Sequence, residues 1–373
     1  MEALSLLFME FWCFRLLLLA FFAAIILRSS AYDSPEAAQE AMSSKENESP
    51  GADLSKAEWV VNAPPYFQKH YNYELSGTKG RLVDMRNNKT NMATMEKMVE
   101  ERLLRTDGFT DGEVVDAMEH FFWGQFGGVA MELGALDGSH NTRSMTRDYE
   151  DVMGWHRILV DGNPQYRKSL PSQSPEAFGV VAAICENVGT VHFSPKEYVG
   201  GIIEFMGKAF MKEYHKEVWV KGTPEGDLAT VDWSRLSKIK AVPCVPLAHI
   251  LKAARTKHVN YFILDVEGGE LEVLKSINWH AVKFDVLCIE TEKENRPPHF
   301  EENITEYLRA RGYQKDGPRQ GRNTWYTRIG FEKSTKPGIA ADCYNGARKG
   351  KREDDWYLNR RTPPFTPCPL KKQ

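Results

Sequence analysis

The segment ILDVEGGELEVL, residues 263–274, contains four acids, and the first three of them flank a glycine pair at the point where an apolar run ends. These three acids are Asp265, Glu267 and Glu270, and the pair is Gly268-Gly269. Burying carboxylates at the edge of a core costs on the order of several kcal/mol unless a partner offsets the cost. These residue types at this spacing therefore indicate a functional site rather than an ordinary turn.

A second group of acids and glycines occurs earlier, in MELGALDGSHN at residues 131–141. An apolar run leads into Glu132, Gly134, Asp137 and Gly138. Glycines at a strand-to-helix turn let the backbone approach a ligand and expose N–H donors. The G-x-G-x-x-G fingerprint of dinucleotide binding is absent. Because an acid here would repel a pyrophosphate, the pattern favours S-adenosylmethionine, which carries a sulfonium and no phosphate, over NAD.

A third acid follows at the expected distance. Asp161, in RILVDGNP, ends the next strand-like run and lies 27 residues after Gly134. An acid at the tip of the second strand, about 20 or more residues after the glycine turn, is placed to bind both ribose hydroxyls. The alternative is an ordinary doubly wound domain with acidic loops. The combined spacing favours a nucleoside site.

Short apolar runs alternate with helical patterns along the middle of the chain. Strands are predicted at 128–134, 157–162, 178–185, 189–194, 259–267, 284–291 and 324–329, and helices at 95–104, 114–122, 144–153, 269–277 and 303–312. A less regular insertion occupies residues 194–240 and is expected to shape an acceptor pocket. This alternation indicates an α/β domain with a parallel sheet covered on both faces.

Four segments, MELGALDG, GWHRILVDGNPQY, FILDVEGGELEVLKSINW and VLCIETE, occur in an order and at a spacing that resemble a known family. Together, over roughly residues 126–328, they look like the FkbM-type S-adenosylmethionine-dependent methyltransferases. The resemblance implies a Rossmann-like methyltransferase fold with a mostly parallel sheet and an antiparallel edge strand. It also implies S-adenosyl-L-methionine as cofactor and methyl transfer to oxygen, often on sugars or polyketide-type hydroxyls.

The resemblance also implies roles for individual residues. The predicted cofactor-binding positions are Glu132, Gly134, Asp137, Gly138, Asp161 and Asn163. Asp161-Gly162-Asn163-Pro164 stands where relatives more often have E-P-N-P. The loop 139–153 is more basic than the family pattern. Asp265, Glu267 and Gly268 match the D-x-E-G motif at the end of the fourth strand of the domain.

Methyl transfer to a hydroxyl requires removal of a proton from the attacking oxygen, so a carboxylate base is expected. Asp265 is the first candidate, Glu267 the second and Glu290 the third. Each residue also has an alternative role that is not catalytic. These roles are cofactor binding alone for Asp265, helix capping for Glu267 and pairing with an arginine for Glu290. A metal held by these three is conceivable but not predicted. Glu270 lies in a first helical turn, where the helix dipole favours it without a catalytic role.

The N-terminal segment is predicted to be a targeting signal, with a buried core helix as the less favoured alternative. Residues 16–27 are apolar without a break, and the apolar stretch extends back to Phe11 across Arg15. Counted from Phe11 the segment can just span a bilayer of about 30 Å. Ser29-Ser30-Ala31 matches a signal-peptidase site. A cleaved signal and an uncleaved anchor both remain open, and both send the rest of the chain into the secretory lumen.

Composition divides the chain into four regions. They are a signal or anchor at 1–31, a stem and irregular N-terminal arm at 32–92, a methyltransferase domain at 93–332, and a basic polar tail at 333–373. The net charge of −3 gives no electrostatic basis for a nucleic-acid partner. The expected partners are a glycan or small-molecule acceptor and, through the N-terminal segment, a membrane, whereas no oligomeric state is predicted.

The cysteines and the glycosylation sequons fit a lumenal protein without requiring one. Cys185, Cys244 and Cys288 lie in or beside strand-like runs, where buried thiols are expected. Cys343 and Cys368 lie in the tail, where a disulfide is plausible. N-x-S/T sequons open at Asn47, Asn88 and Asn303.

The sequence therefore predicts a membrane-tethered or secreted S-adenosylmethionine-dependent O-methyltransferase. The alternative from another class is a trafficking or scaffold protein that keeps the fold without turnover. Retention of the acids favours the enzyme, and the missing dinucleotide fingerprint disfavours an NAD-dependent oxidoreductase.

Overall fold

The computed structural model describes residues 53–69, 82–103, 112–196, 199–221, 228, 231–291, 298–317 and 322–337. The chain divides into two compact units, Met1–Ala52 and Asp53–Gln373, and all described residues lie in the second. The predicted signal or anchor at 1–31 and the tail beyond 337 lie outside the described residues. Among the helices described, none is long and apolar enough to cross a membrane.

The strands are β1 (Val60–Asn62), β2 (Val83–Asp84), β3 (Gln125–Phe126), β4 (Val129–Leu133), β5 (His156–Asp161), β6 (Phe178–Val181), β7 (Ala183–Ile184), β8 (Gly189–Ser194), β9 (Gly201–Ile202), β10 (Lys240–Val245), β11 (His258–Leu264), β12 (Lys283–Glu290), β13 (Tyr313–Lys315) and β14 (Asn323–Arg328). The helices are α1 (Pro65–Lys69), α2 (Lys89–Leu103), α3 (Gly112–His120), α4 (Arg147–Met153), α5 (Tyr166–Gln173), α6 (Lys208–Tyr214), α7 (Lys216–Lys221), α8 (Leu247–Ala253), α9 (Glu270–Lys275) and α10 (Phe300–Arg309).

The central sheet has the strand order β1-β6-β5-β4-β11-β12-β14-β13. Strands β6, β5, β4, β11 and β12 are parallel, whereas β14 runs antiparallel to β12 and β1 runs antiparallel to β6. The predicted fold class, a mostly parallel sheet with an antiparallel strand toward one edge, is confirmed. In such a sheet the carboxyl ends of the parallel strands meet along one edge, where ligands bind.

Two cores cover the two faces of this sheet. Met131 and Phe262 face one core together with apolar residues of α8, α9 and α10. Ala130 and Tyr261, their chain neighbours, face the other core with residues of α2, α3 and α4. Because side chains alternate along a strand, burial on both faces explains why apolar residues occupy successive positions in β4 and β11 rather than every second one.

A second sheet, with the order β7-β10-β8-β9, was not predicted. The apolar run at 178–185 is divided at Ala182, so that β6 joins the central sheet and β7 joins the second sheet. β7 and β9 are each two residues long, which is too short to show a periodicity in the sequence. The N-terminal arm also differs from its description as irregular, because β1 pairs with β6.

The cysteines of the second sheet form a disulfide. Cys185 and Cys244 are joined, with a Cα–Cα distance of 5.7 Å, so the expectation of two free thiols was wrong. Cys288 is a buried free thiol, as expected. Cys343 and Cys368 lie outside the described residues. The bond closes a loop of 59 residues and fixes β10 beside the residue that follows β7.

We expect replacement of both Cys185 and Cys244 by serine to lower the free energy of unfolding by about 2–4 kcal/mol, because the crosslink no longer restricts the unfolded chain. Urea denaturation of the oxidised protein and the double variant measures the difference. A reductant should destabilise the wild type and leave the double variant unchanged. Identical midpoints for the oxidised and reduced wild type would contradict the prediction.

Candidate functional site

A cavity of about 470 Å³ lies at the carboxyl ends of the parallel strands. Its walls come from the ends of β4, β5, β11 and β12 and from residues of the second sheet. The volume is within the range of small-molecule sites. Seven of the nine predicted site residues line the cavity, namely Glu132, Gly134, Asp161, Asn163, Asp265, Glu267 and Glu290.

The Glu132 carboxylate binds the loop that follows β4. Its oxygens accept hydrogen bonds from the Ser144 hydroxyl (2.7 Å), the Thr146 hydroxyl (2.6 Å) and the Met145 amide (2.9 Å). Burial raises the pKa of this carboxyl, and these hydrogen bonds oppose the rise. Most of the acceptor capacity of Glu132 is therefore used to hold residues 144–146 beside the cavity.

Asp137 and Gly138 do not line the cavity but shape the same loop. The Asp137 Oδ1 accepts hydrogen bonds from the Thr142 hydroxyl (2.5 Å) and the Ser139 amide (3.1 Å). Gly138 has a φ of +71°, and a Cβ atom there would overlap the Leu159 side chain. Both residues fix the turn at 137–142, so their contribution to a ligand site is indirect.

The two motif loops touch at Gly134. Its φ is +85°, and a Cβ atom on it would overlap the Asp265 carbonyl oxygen. The Asp265 amide donates to the Leu133 carbonyl (3.2 Å), and β4 is paired with β11 directly beneath. Glycine is therefore required by both the conformation and the close approach.

Asp161 is fixed at the end of β5 by backbone donors. Its Oδ2 accepts from the Leu136 amide (2.8 Å) and its Oδ1 from the Asn163 amide (2.7 Å). Burial raises the pKa of Asp161 to about 7, against these two bonds, and the charges of Glu132 and Asp137 raise it further. Asn163 itself accepts from the Gln165 amide (3.1 Å), so its side chain stabilises the turn.

An apolar part of the cavity lies next to Asp161. It is lined by Val160, Ala182, Ala183, Ile184, Phe193 and Ile202. A Cβ atom on Gly162 would lie 3.0 Å from the Phe193 ring, so this ring packs against the turn after β5. Sequence reasoning missed Phe193 and Ile202, because their strands, β8 and β9, belong to the unpredicted second sheet.

An acidic part of the cavity lies at the ends of β11 and β12. Asp265, Glu270 and Glu290 each have a carboxylate oxygen within 4.8 Å of the others, a grouping that can hold a metal ion. In this group Glu270 takes the place that was considered for Glu267 on the basis of the sequence. The Glu270 Oε1 accepts hydrogen bonds from the Val266 and Gly268 amides (3.3 and 3.2 Å). Glu267 lines the cavity with a φ of +60°.

The insertion supplies several cavity residues. Val199, Phe205 and Tyr214 line the cavity. Trp233 stacks on the His192 ring, with a centroid distance of 3.7 Å. The expectation that this insertion shapes the pocket is supported.

A mostly parallel sheet, a glycine turn after a central strand and an acid at the tip of the next strand are features of Rossmann-like α/β domains. Residues 132–315 match the Methyltransferase FkbM domain, which confirms the resemblance. The chain therefore contains an FkbM methyltransferase domain over these residues. The family is one of methyl transfer and implies a methyl donor.

Other comparisons add little. A crystal structure of a "putative RNA methyltransferase" from Pyrococcus horikoshii aligns with 70% of this chain and 96% of its own, at 11% identity and a TM-score of 0.26. A similarity at this level supports no inference about this chain. No curated protein gives a significant match.

Proposed function

We propose that the protein transfers a methyl group from S-adenosylmethionine to a hydroxyl oxygen of a glycan or small metabolite in the secretory pathway. The observation that carries the proposal is Asp161, held by two backbone N–H groups in the cavity wall beside the Gly134 turn. An ionised carboxylate has about four lone-pair sites. Two of them remain to accept hydrogen bonds from the ribose hydroxyls.

The rest of the cavity fits the same ligand. The apolar part around Ala182, Ala183 and Phe193 can pack against an adenine ring. Asp265 and Glu290 provide negative charge at the other end, where a sulfonium is stabilised. S-adenosylmethionine, when bound, supplies a methyl group activated for displacement.

Asp265 is the proposed base. It lies at the end of β11, next to the Gly134 turn and within the acidic part of the cavity. In methyl transfer, the Asp265 carboxylate would accept the proton of the acceptor hydroxyl as the acceptor oxygen takes the methyl group and S-adenosylhomocysteine leaves. Phe205 and Tyr214, which also line the cavity, would exclude water and orient the acceptor.

A secretory location is part of the proposal. The Cys185–Cys244 disulfide supports an oxidising compartment. The sequon residues Asn88 and Asn303 are exposed, as N-glycosylation requires. The apolar segment at 16–27 would attach the protein to the membrane or direct its secretion. The charge of the chain gives no support for a nucleic-acid acceptor.

We expect the purified full chain to bind S-adenosylmethionine, and Asp161→Asn to weaken binding by about 10- to 100-fold, because a charged acceptor is lost. Affinity for the wild type should also fall by about tenfold from pH 8 to pH 6. The reason is that Asp161, with a pKa of about 7, takes up a proton and no longer accepts from the ribose hydroxyls.

Isothermal titration calorimetry at both pH values tests both statements. Asp161→Asn serves as the control for the pH effect, because its affinity should not change across this range. A folded wild-type chain that binds no S-adenosylmethionine would exclude the enzyme and favour the scaffold alternative.

A further inference from the structure

The order of the strands determines which residues lie at each end of the cavity. Asp161 ends β5, Gly134 follows β4, Asp265 follows β11 and Glu290 ends β12. Leu133 of β4 pairs with a residue of β5 on one side and of β11 on the other. Neighbouring strands lie about 4.8 Å apart. A ligand whose ribose binds Asp161 therefore crosses the end of β4 before it reaches the acids of β11 and β12.

Two arginines are among the residues that line this acid-rich cavity, and they lie at different places along it. Arg143 belongs to the loop after β4. Arg322 immediately precedes β14, and its carbonyl accepts from the Thr291 amide (2.7 Å), just beyond Glu290. Arg143 is thus beside the middle of the cavity, and Arg322 is at the end far from the ribose acid.

The loop holds Arg143 from both sides. On one side, the Thr142 hydroxyl donates to Asp137 (2.5 Å). On the other side, the Ser144 hydroxyl donates to Glu132 (2.7 Å). Arg143 itself has a φ of +62°, which a non-glycine residue adopts at a cost of about 1–3 kcal/mol when the surroundings enforce it. Glu132 and Asp137, which were predicted as cofactor contacts, therefore fix the backbone that presents Arg143 to the cavity.

We propose that Arg143 binds the carboxylate of the methionine moiety of the methyl donor. The inference rests on the proposed function. With the ribose at Asp161, the methionine chain lies over the end of β4, where Arg143 is the cationic residue of the wall. The planar guanidinium can bind a carboxylate through two parallel hydrogen bonds. Glu132 and Asp265 also line the cavity, and their negative charge would repel the carboxylate without a cation at this place.

Two ligands distinguish a contact between Arg143 and the carboxylate from a general contribution of Arg143 to cofactor binding. S-adenosylhomocysteine carries the carboxylate, and 5′-methylthioadenosine has the same nucleoside without the amino acid group. We expect Arg143→Ala in the full chain to weaken S-adenosylhomocysteine by about 10- to 100-fold, the usual effect of losing a charged hydrogen bond. Binding of 5′-methylthioadenosine should change by less than about twofold, because it lacks the carboxylate that Arg143 binds.

Two further variants, Arg143→Lys and Arg322→Ala, serve as the conservative replacement and the matched control. Arg143→Lys should recover part of the affinity for S-adenosylhomocysteine, since it keeps the charge but not the two parallel bonds. Arg322→Ala removes the same charge at the other end of the cavity and should leave the ratio of the two affinities unchanged. All affinities are measured by isothermal titration calorimetry.

The outcomes distinguish the two proposals. If the wild-type chain binds neither ligand, the proposed function fails and this inference fails with it. If the wild type binds both and Arg143→Ala weakens both equally, the residue only supports the loop, and the carboxylate role is overturned while the proposed function stands. If Arg143→Ala leaves the affinity for S-adenosylhomocysteine unchanged, the carboxylate role is also overturned and the proposed function still stands.

Discussion

Replacing Asp265 by asparagine should lower the rate of methyl transfer by about 100- to 10,000-fold, the usual contribution of a general base. Asparagine keeps the size of the side chain and one oxygen, but it does not take up the acceptor proton. The Asp265 amide and carbonyl, which meet Leu133 and Gly134, are unchanged by the substitution. Because the substitution removes negative charge near the sulfonium, affinity for S-adenosylmethionine should also fall, but by much less than the rate.

The measurement is transfer of a tritiated methyl group from S-adenosylmethionine to a panel of secretory glycans and small hydroxyl acceptors. Glu267→Gln and Glu290→Gln are the matched controls, because both residues line the same cavity. Each should reduce the rate less than Asp265→Asn. A larger loss in one of the controls would transfer the role of base to that residue.

Gly134→Ala should weaken cofactor binding and slow methyl transfer by about 100-fold or more. A methyl group at this position would overlap the Asp265 carbonyl oxygen, and the φ of +85° is unfavourable for alanine. The chain must separate the two motif loops, and a displacement of about 1 Å at a reacting centre costs about 100-fold in rate.

Gly154→Ala provides the control for backbone strain. Gly154 ends α4 with a φ of +63°, and a Cβ atom there would meet no atom within 4 Å. This variant should lose about 1–2 kcal/mol of stability, the cost of the left-handed conformation, and keep the cofactor affinity. Urea denaturation and calorimetry measure the two quantities. Wild-type affinity in Gly134→Ala would show that the loops separate without cost.

Sequence reasoning could find the parallel strands of the central sheet because each contains a mainly apolar run. β4 and β11 are buried on both faces, so apolar residues predominate along them, and both lead into polar motifs. The three-residue strands β1 and β13 were not predicted. The acids Asp161 and Asp265 directly follow or end such runs, and their place at the sheet edge follows from the parallel order. The second sheet was not predicted because β7 and β9 are only two residues long and because β7 pairs with β10, which is far away in the sequence.

The roles of the acids were harder to predict than their positions. Glu132 and Asp137 match a cofactor motif, but their oxygens bind Ser144, Thr146 and Thr142 of the following loop. A spacing in the sequence shows that a carboxylate is near a strand end. It does not show which donors reach the carboxylate, because these depend on how the loop folds back.

The sequence by itself determined the class of fold, the methyltransferase family and the strand ends at which the site lies, because strand burial and motif order are local properties. Only the tertiary structure decided that Gly134 touches Asp265, that Cys185 pairs with Cys244, and that Phe193 completes the cavity. These contacts join residues far apart in the chain, and their geometry is set by strand pairing and packing rather than by any local pattern.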